Sequence, residues 1–372
     1  MKYFIIAGEA SGDLHGSYLI DSLNNLDPDA EFMCFGGDNM KEKGAIVLKH
    51  LNELAFMGIT EVANNLGLIL KNLKYCKKSI VQYKPDVIIL IDYPSFNLKI
   101  AKYSKLRGFR TIYYISPKLW AWKEYRIKMI QNFVDIMFVI FPFEVNYYRK
   151  FNFPVQFLGN PLLDALEEKL PELATYDDFI AKHKLENKLV IAILPGSRKH
   201  EIQRMLPVML KPVNEYPDFQ FIIAGAPAIN QLVYDEIIGN NNIPVLFNAT
   251  YEILKVSVAA LVTSGTATLE TALIGIPQVV CYKTTQIAYI VGKQLIKLNY
   301  ISLVNLIMNK QVVKELLQYD FTEENVKNEL DKLLFDLEYR SNILKNYEFI
   351  RKLLGGPGAS QRIANQIYEF LI

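Results

Sequence analysis

With 372 residues, 51% of them apolar and 22% charged, the chain holds enough apolar material for two cores and too much for disorder to be its main state. Its 41 basic and 39 acidic residues leave a net charge of +2, which argues against bulk nucleic-acid binding and makes any positive patch a local one. Three scattered cysteines (Cys34, Cys76, Cys281) and four histidines without close spacing point to a reducing compartment and away from a disulfide framework or a zinc cage.

The apolar run at Met1–Gly8 stops at Glu9, too short for a signal peptide, and no stretch approaches the roughly 20 apolar residues of a spanning helix. The expected location is cytoplasmic, with lying on a membrane surface left open. Short β-branched runs then recur along the chain. In the first half they are Tyr3–Ala7, Phe32–Phe35, Val87–Ile91, Thr111–Ile115 and Ile136–Ile140. In the second half they are Val190–Leu194, Phe221–Ala224, Ala260–Thr263 and Gln278–Tyr282. Each is followed by a turn and a helical pattern, the signature of buried parallel strands in βαβ units. Leu163–Asn187 reads as a helix plus linker between the halves. Beyond Thr322 the strands stop. Glu323–Lys345 and Ser360–Leu371 read as helices, separated by Leu354-Gly355-Gly356-Pro357-Gly358. The expected fold class is α/β: two doubly wound domains plus a helical tail. In such sheets ligands sit outside the carboxyl ends of the strands.

Functional residues are therefore expected right after each strand. Gly8-Glu9-Ala10-Ser11-Gly12-Asp13 opens a helix on small residues and suits an anion or a sugar hydroxyl, or else is a tight turn capped by Ser11 or Asp13. It is not a GxGxxG dinucleotide pattern. Asp92, in Asp92-Tyr93-Pro94-Ser95-Phe96-Asn97, is placed for a general base or a helix cap. Ser116-Pro117-Lys118-Leu119-Trp120-Ala121-Trp122-Lys123 combines aromatics and bases able to hold a sugar face or an acyl chain, although a packed turn is the commoner case. Arg198, after Pro195-Gly196-Ser197, has the planar fork that binds a diphosphate. Ser264-Gly265-Thr266 exposes backbone donors at a helix start, and Glu270 lies one turn in, where it suits ribose hydroxyls. Asn305 is an amide in an apolar run whose partner is a ligand or a neighbouring backbone. Asp27-Pro28-Asp29 matches a metal-binding DxD pattern but reads as a solvated turn, so no metal is expected. Ala63–Lys84 interleaves Leu66, Ile69, Leu70, Leu73 and Ile80 with Lys71, Lys74, Lys77 and Lys78, a basic amphipathic pattern that fits anionic lipid or an ordinary surface helix.

Together these loops resemble the lipid-A-disaccharide synthase family over nearly the whole chain. The segments that carry the resemblance are Gly8–Asp13, Phe35-Gly36-Gly37, Phe56-Met57-Gly58-Ile59-Thr60-Glu61-Val62, Ile91–Asn97, Trp120-Ala121-Trp122, Leu194–Arg198, Ser264–Glu270 and Asn305-Leu306. The resemblance implies a GT-B fold: two facing Rossmann-like domains, 1–162 and 163–345, with the tail 346–372 crossing back to the first. It implies inverting transfer from UDP-2,3-diacylglucosamine to 2,3-diacylglucosamine 1-phosphate (lipid X), giving the β-1,6 disaccharide 1-phosphate and UDP, without cofactor. It assigns Asp92 as base, Arg198 to the UDP phosphates and Asn305 to a catalytic role. Substrate contacts fall to Glu9, Ser11, Asp13, Asn97, Ser197, Ser264, Gly265, Thr266, Glu270, Glu315 and Gln318. Phe56-Met57 and 63–84 would meet the inner face of the inner membrane, and the glycine hinge would permit tail exchange in a homodimer.

Two positions depart from the family pattern. Asn160 stands where many members have His, which puts proton transfer there in doubt. Lys314 stands where Pro is usual, so a different local helix start is expected there. Two rival readings are a UDP-N-acetylglucosamine 2-epimerase, which needs no lipid surface, and a non-catalytic binder, which needs no base opposite a diphosphate.

Overall fold

The computed structural model describes residues 1–54, 66–286, 289 and 298–372. By their contacts these form two compact units, Met1–Ala165 with Leu354–Ile372, and Leu166–Leu353.

The first unit is built on a seven-stranded parallel sheet: β1 (Lys2–Ala7), β2 (Glu31–Gly36), β3 (Ile46–His50), β4 (Val87–Ile91), β5 (Arg110–Tyr114), β6 (Ile136–Val139) and β7 (Gln156–Phe157), in the order β3-β2-β1-β4-β5-β6-β7. Strands β1 and β4 are apolar without alternation because both faces are covered. Phe4, Ile6, Ile88 and Leu90 point to one core, and Tyr3, Ile5, Val87 and Ile89 to the other. The second core also takes Ile363, Ala364 and Ile367 from the tail helix Ala359–Leu371, which packs on the helix Ala10–Leu26. Asp164 fastens that tail: its carboxylate accepts the amides of Gly358, Ala359 and Ser360 at 2.6, 3.1 and 2.8 Å, capping the helix.

The second unit carries a six-stranded parallel sheet: β8 (Leu189–Leu194), β9 (Phe219–Gly225), β10 (Val245–Phe247), β11 (Ser257–Thr263), β12 (Gln278–Tyr282) and β13 (Glu315–Leu317), in the order β10-β9-β8-β11-β12-β13. In both sheets the winding direction reverses once, between β1 and β4 and between β8 and β11. Such switch points open a crevice at the carboxyl ends of the two strands concerned.

The nine expected strands are all present, two with the expected bounds and the others lengthened by one to three residues or trimmed at one end. Four strands escaped the sequence reading: the edge strands β3, β10 and β13, and the two-residue β7. Most of their side chains are only partly buried, so no continuous apolar run announces them. The helix start expected near Lys314 is instead β13, with the Lys314 carbonyl accepting the Val280 amide at 2.9 Å. Leu163–Asn187 is two helices, Leu162–Glu172 and Tyr176–His183. The single helix expected at Glu323–Lys345 breaks at Asp336, whose backbone is extended. Its carboxylate accepts the Tyr339 amide at 2.9 Å and so starts the next helix, Leu337–Leu353. That helix is tied to the second unit, since Arg340 donates to the Val258 carbonyl and Arg351 to that of Leu273, each at 2.6 Å. The expected boundary at 345/346 falls inside it, and the chain passes to the first unit at Leu354.

Candidate active site

At the switch point of the first sheet, the chain leaves β4 through two consecutive left-handed residues, Asp92 (φ 41°) and Tyr93 (φ 47°). Neither is glycine, so this turn stores on the order of 1–3 kcal/mol per residue and must be held from outside. The Asp92 amide donates to the Tyr114 carbonyl at 3.1 Å. Its carbonyl accepts the Asn97 amide at 2.8 Å and the Tyr113 hydroxyl at 2.6 Å. The Tyr93 hydroxyl donates to the Leu54 carbonyl at 2.9 Å, and its ring lies where a Cβ on Gly8 would be. Gly8 is thus required by the close approach of the β1 turn to the β4 turn.

The Asp92 carboxylate is partly exposed. Burial and the charge of Glu9 push it up to about 6, against the opposing pull of Lys118 and the Tyr93 amide. A carboxylate poised there exchanges protons near neutral pH, as a general base must. Glu9 is itself partly exposed and precedes the helix Ala10–Leu26, whose first turn exposes Ser11.

Two other residues of this cluster face inward. Asp13 is buried, and its carboxylate accepts the amides of Gly37 (2.7 Å), Asn39 (3.1 Å) and Met40 (3.3 Å) and the Asn39 side chain (2.8 Å). It caps the short helix Asp38–Glu42 and corrects the expectation of a substrate contact. Asn97 is fully buried, its amide nitrogen serving the carbonyls of Ile6, Ile91 and Asp92 at 3.3, 3.1 and 2.8 Å. It holds the base turn rather than a substrate.

At the switch point of the second sheet, β8 ends in Pro195-Gly196-Ser197-Arg198 and β11 in Ser264-Gly265-Thr266, on hydrogen-bonded strands. Gly196 has φ 118°, and a Cβ there would meet Glu201 at 2.8 Å. Glu201 folds back to accept the amides of Ser197 (3.1 Å) and Arg198 (3.3 Å), and it pairs with the Arg198 guanidinium at 3.0 Å. Ser197 and Arg198 are exposed, the latter's side chain by 47%. Across the turn, Gly265 and Thr266 are exposed at the start of the helix Thr266–Ile274, and the Ser264 hydroxyl donates to the Ile301 carbonyl at 3.1 Å. Glu270, one turn in, accepts the Tyr251 hydroxyl at 2.7 Å. Burial raises its pKa, with the Tyr251 bond and the Lys169 charge opposing.

Three expected contacts of this unit are internal instead. Asn305 is fully buried with every hydrogen-bonding position filled. Its oxygen accepts the Val312 and Val313 amides at 2.7 and 3.0 Å, and its nitrogen donates to the Val313 carbonyl and the Glu315 carboxylate at 2.9 and 2.8 Å. The open choice between ligand and backbone falls to the backbone, and a direct catalytic role does not fit. The Glu315 carboxylate also accepts the Ile301 amide and the Ser302 amide and hydroxyl, at 3.0, 3.0 and 2.8 Å, which fixes the start of the helix Leu303–Met308. Gln318 is buried and pairs through its amide with both backbone groups of Thr284, at 3.0 Å each. Substrate contacts by Glu315 and Gln318 are therefore corrected to struts beneath the β12–β13 edge.

Asn160 is a strut too: its nitrogen donates to the Ile140 carbonyl and its oxygen accepts the Leu162 amide, both at 3.0 Å. Asp27 pairs with the N-terminal amine of Met1 at 2.7 Å. Among the described residues no cluster of His, Cys, Asp or Glu has the makings of a metal site. Phe56, Met57 and residues 63–65 lie outside the described residues. The helix Leu66–Tyr83 buries Leu73, Cys76 and Ile80 and exposes Leu66, Leu68, Leu70, Lys71, Lys74 and Lys78. No helix of the described residues is long and apolar enough to cross a membrane.

The sequence reading passed over Tyr113, Tyr251 and Glu144. Glu144 is buried and pushed up to about 6 by burial. It accepts Ser116 (2.5 Å), Trp120 (3.2 Å) and the amides of Ile140 (3.1 Å) and Phe141 (2.9 Å), and so shapes the loop after β5. Its one sequence signal was Pro142 two residues before it, the opening of a capped helix.

Two parallel sheets, each with one switch point whose loops carry exposed polar groups, define a GT-B architecture. A UDP-GlcNAc 2-epimerase of Neisseria meningitidis, solved bound to UDP-GlcNAc, superposes with a TM-score of 0.73 over 99% of this chain and 100% of its own, at 15% identity, a likeness of fold alone. The family model for lipid-A-disaccharide synthetase matches residues 3–366. The lipid-A-disaccharide synthase of Geobacter sulfurreducens is 36% identical over 100% of this chain and 97% of its own, and that of Syntrophus aciditrophicus is 39% identical over 97% and 95%. The chain belongs to the lipid-A-disaccharide synthase family of glycosyltransferases, with a role in making the lipid A disaccharide.

Proposed function

We propose that the protein performs an inverting transfer of 2,3-diacylglucosamine from its UDP derivative to 2,3-diacylglucosamine 1-phosphate. Asp92 takes the proton of the acceptor 6-hydroxyl. The freed oxygen attacks the anomeric carbon of the donor, the bond from that carbon to the diphosphate breaks, and UDP leaves with the electron pair. Arg198 and the helix start at Gly265-Thr266 meet the charge that develops on the diphosphate, as preorganised donors do. Glu270 takes the ribose hydroxyls, Ser197 and Ser264 lie along the phosphates, and Glu9 and Ser11 border the acceptor.

The observation that carries the reading is the Asp92 turn, a strained carboxylate with a pKa of about 6 at a sheet's switch point. A cap or a surface aspartate needs neither the strain nor the raised pKa. The lipid character of both substrates is supported by the exposed Leu66, Leu68 and Leu70 beside Lys71 and Lys74, a surface suited to the cytoplasmic face of an anionic membrane. Purified protein in detergent, given the UDP-sugar with and without the phosphorylated acceptor, tests it. UDP release that requires the acceptor, with a β-1,6 disaccharide as product, is expected. Conversion of the UDP-sugar without acceptor would replace the reading by epimerisation.

A further inference from the structure

The loop after β5 brings cations and aromatic rings to the Asp92 turn. It begins beside the base, because Tyr114, the last residue of β5, accepts the Asp92 amide. Ile115 then leaves the strand at φ 64°, which a β-branched residue adopts only under constraint. Ser116 and Trp120, both bonded to buried Glu144, supply the constraint. The loop closes back on the same turn, with Arg126 donating to the Ser95 hydroxyl at 3.2 Å, three residues past Asp92. Lys118 is exposed between these anchors, and its charge reaches the Asp92 carboxylate. Lys123 sits over the ring of Trp122 at 4.0 Å, while Trp122 and Tyr125 are 53% and 70% exposed.

Among the described residues, neither Lys118 nor Arg126 pairs with a carboxylate within ion-pair distance. Arg126 is anchored through Ser95, and Lys118 stands on a loop pinned at Ser116 and Trp120, where a substrate hydroxyl must come within reach of Asp92. A guanidinium and an ammonium with no carboxylate in ion-pair contact match the oxygens of a phosphomonoester. For Arg126 the Ser95 bond lowers the ordering cost that weakens a flexible surface cation.

We propose that Arg126 and Lys118 form the subsite that reads a phosphate on the acceptor and so sets which glycolipid is glycosylated. This rests on the transferase reading above and adds to it the residues that select the acceptor.

The test compares a phosphorylated acceptor with its dephosphorylated analogue, in wild type and in Arg126→Gln, Lys118→Gln and Arg126→Lys. Wild type is expected to favour the phosphorylated acceptor at least about 10-fold in KM, the range of one or two charge-assisted hydrogen bonds. Either glutamine variant raises the KM for the phosphorylated acceptor toward that of the analogue, and the donor KM stays at its wild-type value. Arg126→Lys keeps part of the preference, which a misfolded loop would not. Equal losses on both acceptors would place Arg126 behind the Ser95 turn instead and overturn the subsite, as would a wild type with no preference. Transfer to neither acceptor would overturn the transferase reading. Binding of the two lipids in mixed micelles then still decides the subsite, and equal affinity for them would end it.

Discussion

Asn305→Ala separates a residue that acts on reactants from one that holds the fold. The truncation leaves two buried amides, Val312 and Val313, and the Val313 carbonyl without partners, and takes one donor from Glu315. Each stranded group costs about 1–3 kcal/mol, and water entering the new space recovers part of it, so about 3–5 kcal/mol is expected. For a domain of this size each kcal/mol lowers Tm by about 2–4 °C, which puts the second unit's transition about 10 °C below wild type. Calorimetry of the full chain reads it, with UDP affinity followed at a temperature below the lowered transition. Asn305→Asp should fall between, since it keeps an acceptor for the two amides and sets a second carboxylate against Glu315. Turnover down more than 100-fold with an unmoved Tm would refute the reasoning and return Asn305 to the reactants.

With Asp92 pushed up to about 6, kcat/KM should fall about tenfold per pH unit below that value and level off above it, a limb that Asp92→Asn abolishes along with roughly 10²–10⁴ of the rate. A carboxyl whose folded pKa exceeds its ordinary 3.8 makes ionisation cost stability above about 6 and nothing below about 4, so Asp92→Asn should melt higher than wild type at pH 7.5 and equally at pH 3.5; the opposite order at pH 7.5 would deny the raised pKa. Arg198→Ala should weaken UDP binding about 10- to 100-fold, as read by calorimetry, and unchanged affinity would take Arg198 away from the diphosphate. Tyr251→Phe frees the Glu270 carboxylate and should raise the donor KM a few-fold at constant kcat; a fall in kcat alone would mean that Tyr251 does not act through Glu270.

The central strands of both sheets were legible because a strand covered on both faces must be apolar throughout, and β1, β4, β8 and β11 are. The edge strands were not, since half-exposed residues such as Ile46–His50 look like loop. The turns after the switch-point strands could also be found in the sequence, as Gly8 and Gly196 mark places where a side chain has no room. What the sequence could not tell was which way a polar side chain points. Asp13, Asn97, Asn305, Glu315 and Gln318 are polar residues near strand ends like Asp92 and Arg198, yet their partners are mostly backbone groups, up to 91 residues away for Asn97 and Ile6. Only the packed chain distinguishes a group aimed at solvent from one that props the turn beside it. The left-handed pair Asp92-Tyr93 was likewise hidden, because tyrosine seldom adopts that conformation and aspartate, though it does so more readily, is no marker of it.

The fastening of residues 354–372 into the first unit by Asp164 bears on how the protein is made. During synthesis, Met1–Ala165 leaves the ribosome long before the helix that closes its second core. The face of the helix Ala10–Leu26 on which the tail helix packs must stay uncovered while the whole of Leu166–Leu353 is translated, a wait of roughly 10–40 s at the usual elongation rate. The second unit, contiguous in sequence, waits for no such late partner. Chaperone demand should concentrate on the nascent amino-terminal half, and a released chain truncated before Leu354 would carry one complete unit and one aggregation-prone remnant.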